Sequence, residues 1–64
     1  GLFDIKLLNT IEDVSARATL KKIYMGAKKA SKNSDEVIPG MIAELESKGK
    51  LTDEIKVLLE GILS

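Results

Sequence analysis

The C-terminal stretch of the chain leaves little choice of structure. Ile55, Leu58, Leu59, Ile62 and Leu63 recur at i, i+3, i+4, i+7 and i+8, which is one face of an α-helix. Asp53 and Glu54 favour its start through the helix dipole, and Thr52 is the natural N-cap. Upstream, Ile38, Met41, Ile42 and Leu45 trace a second stripe that runs out at Ser47-Lys48-Gly49, where Gly49 can take the left-handed conformation that closes a helix. The link from Gly49 to Thr52 is short enough to force a helical hairpin with the two apolar stripes face to face. Strand signals are absent: no period-two alternation is sustained, and no Asn-Gly or Asp-Gly turn occurs. The expected fold is therefore all-α, a small three- to four-helix bundle ending in this hairpin.

Pro39 refines the middle helix. A proline is tolerated where its missing N–H has no intrahelical acceptor, in the first turn, so the helix is expected to begin near Asp35 to Ile38. Before it, Ser31-Lys32-Asn33-Ser34 reads as a loop.

The N-terminal half carries two stripes that disagree. From Ala16 onward, Leu20, Ile23, Tyr24, Ala27 and Ala30 share one arc, with Arg17, Lys21, Lys28 and Lys32 on an adjacent one. Earlier, Phe3, Leu7, Ile11 and Val14 project onto the side that the basic residues later occupy. One straight helix on one core cannot satisfy both. Either the chain breaks near Asn9-Thr10, with Thr10-Ile11-Glu12-Asp13 as a loose capping box, or the helix is long and its first part packs on something else. Expected elements are a helical segment over 3–9, separate or continuous with a basic helix over 11–31, then helices over 36–48 and 53–63. All belong to a single domain, residues 1–64, with an amphipathic segment over 2–14 and the hairpin over 35–63.

Ten Lys+Arg balance ten Asp+Glu, but the layout is uneven. Between Val14 and Ser34 lie Arg17, Lys21, Lys22, Lys28, Lys29 and Lys32 with no acid, a local charge of +6, against −6 for the rest. A basic helix stands in anionic surroundings.

Absent residue types exclude whole classes of chemistry. With no Cys and no His, disulfides, thiolate or imidazole zinc sites and Cys or His catalysis are ruled out. The pairs Asp35-Glu36 and Asp53-Glu54 sit at helix starts, where capping explains them. No Gly-rich phosphate loop or EF-hand spacing occurs, so neither cofactor nor metal is implied, and no enzyme is expected. A chain of this length buries only about 60% of its unfolded surface, so a partner or second copy would add welcome burial. No run approaches the length of a transmembrane helix, and a cytoplasmic protein is the expectation. The start at Gly1 without Met suggests an excised domain or a processed chain.

Two short resemblances bear on the surfaces. Gly1-Leu2-Phe3-Asp4-Ile5 resembles the start of amphibian membrane-active peptides of the aurein and citropin type, which implies an amphipathic helix able to lie on a membrane surface. Glu44-Leu45 to Gly49, with Asp53-Glu54-Ile55 and Gly61-Ile62-Leu63, is similar to the C-terminal helical hairpin of F-type ATP synthase alpha subunits, which implies a hairpin and no activity.

The functional expectation is a non-enzymatic protein-interaction, docking or oligomerisation module, its partner another protein or a second copy of itself. Phe3, Leu7, Ile11 and Val14 would supply apolar contact, and Arg17, Lys21, Lys28 and Lys32 electrostatic selectivity. The alternative is a small nucleic-acid-binding domain whose basic helix tracks phosphates.

Overall fold

A computed structural model describes all residues 1–64. It is all-helical: a 3-10 helix over Ile5–Thr10, then α1 (Val14–Lys29), α2 (Ser34–Ser47) and α3 (Asp53–Leu63). The elements pack in chain order, with the 3-10 helix against α1, α1 against α2, and α2 against α3.

The hairpin forms where its apolar stripes and caps place it. Lys50 N–H donates to the Leu45 carbonyl (2.8 Å) and Gly49 N–H to Glu46 (3.1 Å), with Gly49 at φ 69, a Schellman closure of α2. Thr52 Oγ1 then accepts from Ile55 N–H at 3.2 Å and starts α3. α2 begins at Ser34, earlier than Pro39 suggested, because Glu36 reaches back to Asn33 N–H (3.2 Å) and stabilises an earlier first turn. Pro39 consequently lies past the first turn, which corrects its expected position. The donor it removes would have served the Asp35 carbonyl, and both residues are at the exposed surface, where water can substitute.

The conflict of stripes in the N-terminal half is resolved by a break, set later than Asn9-Thr10. The 3-10 helix runs to Thr10, and α1 starts at Val14 behind Asp13, whose carboxylate accepts from Ala16 N–H at 3.0 Å. The expected helix over 11–31 is thus shorter at both ends, and the residue that caps it is Asp13, not Thr10. In a 3-10 helix positions i and i+3 eclipse, so the buried ridge has a period of three. Ile5, Leu8 and Ile11 form that ridge: Leu8 and Ile11 are buried, and Ile5 packs partly covered against the core. A stripe of α-helical period through Phe3, Leu7, Ile11 and Val14 does not exist as one face.

The residues before the 3-10 helix are tied to the α1–α2 connection. Phe3 N–H donates to Ser34 Oγ (2.9 Å), Ser34 N–H donates to the Gly1 carbonyl (3.1 Å), and Tyr24 Oη donates to the Phe3 carbonyl (2.6 Å). The Phe3 ring meets Tyr24 edge-on at 5.1 Å. α1 also ends in a Schellman closure, with Lys32 N–H to Ala27 (3.0 Å) and Ser31 N–H to Lys28 (3.2 Å), but here Ser31 occupies the left-handed position at φ 55.

All four elements contribute to one core of twelve buried side chains, among them Leu8, Leu20, Ile38, Met41, Leu45 and Leu59 with no exposed surface. Tyr24 is the one member with a polar atom, and no buried side-chain nitrogen or oxygen lacks a partner.

Candidate functional site

The structure divides the residues that the sequence put forward as contacts. Ile11 is a core residue at 4% exposure, and Phe3 is half-buried with its ring edge-on to Tyr24, so both are largely taken up by the fold. Leu7 and Val14 remain outside, at 41% and 66% exposure. Burial of Ile11 follows from the three-residue period: it continues the Ile5–Leu8 ridge, whereas Leu7 points off it.

The basic residues divide as well. Arg17 is half-buried, and its Nη1 donates to the Ile11 carbonyl at 2.9 Å, so its guanidinium braces the turn between the 3-10 helix and α1. Lys22, Lys28, Lys29 and Lys32 are exposed, and Lys21 is half-buried. None of these five lysines lies within ion-pair distance of an acid. The two ion pairs of the molecule are Lys48–Glu44 (3.5 Å) and Lys50–Asp13 (3.4 Å). Despite a net charge of zero, the positive face of α1 is uncompensated within the chain.

Two features complete the surface, and neither was read from the sequence, although Lys21, Lys28 and Ile11, which the sequence put forward, take part in them. Met25 is 48% exposed on α1, with Lys21 and Lys22 one turn before it and Lys28 and Lys29 one turn after. Helical spacing of three and four brings those four lysines around the thioether. The pattern was readable in the sequence as an apolar residue flanked by bases at i±3 and i±4.

The second is a groove of about 400 Å³ between the turn at residues 10–13 and the first half of α3. Ile11, Ile55 and Leu58 supply its apolar lining, and Glu12, Asp13 and Glu54 its charge. Its two walls are about forty residues apart in sequence, so no local pattern announces it. Asp13 titrates below the usual aspartate value of 3.8, chiefly because Ala16 N–H bonds its carboxylate, with Lys50 adding to the effect. It therefore stays anionic throughout the neutral range.

No group of three or more acidic side chains forms a metal-type ligand set, and no helix is long and apolar enough to cross a membrane. No family model matches the chain, and neither a curated protein nor a solved structure matches it significantly.

Proposed function

We propose that the chain is a non-enzymatic docking module that associates with copies of itself. The observation that carries this reading is the unpaired basic face of α1 in a chain whose acids are equally numerous but lie elsewhere. Charges left without partners inside a neutral fold are available to an oppositely charged surface outside it, and a second copy brings such a surface. Exposed Leu7, Val14 and Met25 on the same half of the chain add apolar area to that attraction.

The arrangement supports a protein partner over nucleic acid. Single-stranded nucleic acids are held by aromatic side chains as well as by bases, and the two aromatic rings here, Phe3 and Tyr24, are packed on each other. Lysines that track phosphates also gain nothing from an apolar residue at their centre, whereas a protein contact does.

Sedimentation velocity from about 20 µM to about 1 mM, in low salt and at about 0.5 M salt, tests the reading. The expected result is a mean mass that rises with concentration and rises less in high salt. A strict monomer over the whole range in both buffers contradicts it. Duplex and single-stranded DNA added at low salt provide the competing outcome: tight, salt-sensitive binding by a monomer would assign the basic face to phosphates.

A further inference from the structure

We propose that Met25 and its ring of lysines on α1 dock into the acid-rimmed groove between residues 10–13 and α3 of a second copy. The inference rests on the self-association reading above and names its contact surfaces.

The two surfaces are complementary in kind at every level. On one side an exposed thioether is surrounded by Lys21, Lys22, Lys28 and Lys29. On the other an apolar lining of Ile11, Ile55 and Leu58 is bordered by Glu12, Asp13 and Glu54. A groove of about 400 Å³ is within the range of small-ligand pockets and admits one side chain with room to adjust. Methionine suits such a space, because it is unbranched and polarizable and adapts to irregular gaps. Seating it desolvates the centre of the contact, while the charges remain at a partly wet rim, where they govern selectivity and approach more than affinity. Of the three acids only Asp13 already has a cationic neighbour, Lys50, and that pair is itself exposed.

The knob and the groove are different patches of the same molecule, so copies either engage reciprocally about a two-fold axis, each knob in the other's groove, or join head to tail into a ring or an open chain. A standard-size interface takes about 800 Å² from each partner, roughly a fifth of the 4184 Å² accessible here, so a contact confined to one knob and one groove is weak.

The test separates the two surfaces. Met25→Glu removes the thioether and neutralises its lysines while keeping a good helix former. Glu12→Lys with Glu54→Lys reverses the groove at two exposed positions. Circular dichroism verifies that each variant is folded, and Glu12→Lys alone, outside any helix, repeats the groove arm should the double variant lose helicity. The expected result is that each variant alone associates at least tenfold more weakly than the parent chain. Mixed in equal amounts at the same total concentration, they form a dimer and nothing larger, because one retains the groove and the other the knob. Variants that associate as well as the parent, or a mixture that stays monomeric, overturn this contact and leave the self-association reading intact. A parent chain that is itself monomeric overturns both.

Discussion

From Asn33 to the C-terminus the chain is organised by devices that act over a few residues. Glu36 reaches Asn33, Gly49 closes α2, and Thr52 opens α3. Before Asn33 the Asp13 cap and the Ser31 closure are also local, but further contacts cross the sequence: Tyr24 to Phe3, Phe3 to Ser34 and Lys50 to Asp13. The first region is specified by local chemistry, and the second by local chemistry together with what the rest of the fold presents to it. Charge follows the same division: residues 1–32 hold seven bases and three acids, and residues 33–64 hold three bases and seven acids. A chain of two such halves is neutral as a whole and unevenly charged along its length, and the proposed self-association draws on that imbalance.

The sharpest way to break the comparison is to truncate a core residue in each half. Leu8 in the 3-10 helix and Leu59 in α3 are both fully buried in one cluster. Leu8→Ala and Leu59→Ala should each cost about 2–5 kcal/mol of unfolding free energy in urea titrations. If Leu8→Ala costs under about 1 kcal/mol and merely frees the amides of residues 1–13 to exchange, the N-terminal segment is an appendage and not part of the same cooperative unit.

Next in size is the hydroxyl that anchors the N-terminal segment. Tyr24→Phe keeps the edge-on ring contact and removes only the 2.6 Å bond to the Phe3 carbonyl. A loss of about 0.5–1.5 kcal/mol is expected, with faster amide exchange at the start of the chain. An unchanged stability would show that the bond is not what holds the segment.

The two helix closures sharpen the comparison further, because they share one geometry and differ in the residue at its left-handed position. Gly49→Ala meets no neighbouring atom, so its cost is that of φ 69 alone, about 1 kcal/mol. Ser31→Gly at φ 55 should act in the opposite direction, raising stability by about 0.5 kcal/mol after the entropy that glycine adds to the unfolded chain. Equal signs in thermal melts of the two variants would refute the common geometry.

The smallest effect is in pH. Asp13 has a lower pKa folded than unfolded, so its contribution is complete above the ordinary aspartate range and is lost as pH falls through the folded value. Between about pH 5 and about pH 3 the parent chain should lose more stability than Asp13→Asn, which retains an acceptor for Ala16 N–H but does not titrate. Parallel pH profiles for the two would remove Asp13 as a source of the dependence.

Particular residues show what the sequence made legible. The bounds of α3 and the closure at Gly49 could be read directly, because apolar period, cap and glycine agree. The 3-10 helix was also encoded, as an apolar repeat of three through Leu2, Ile5, Leu8, Ile11 and Val14, yet an α-helical period fits part of the same set and selected Phe3, Leu7, Ile11 and Val14 instead. Pro39 misplaced the start of α2, since capping by Glu36 outweighs one missing donor at an exposed position. The basic face of α1 was visible in the spacing of its lysines, but the loss of Arg17 to a backbone carbonyl was not, because its partner depends on the break at residues 11–13. The groove joins segments that only the tertiary fold brings together.

The central claim is that the basic face of α1 in one copy meets the acid-rimmed groove of another, and a dilution series followed by amide nitrogen–proton correlation spectra tests it most directly. Between about 1 mM and about 20 µM at low salt, the resonances that move should be those of Lys21 to Lys29 around Met25 and of Glu12, Asp13, Glu54 and Leu58 around the groove. Resonances of α2's exposed residues Ala43 and Glu46 should stay in place. A spectrum that does not change with concentration, or one whose changes fall on α2 and spare both surfaces, contradicts the account.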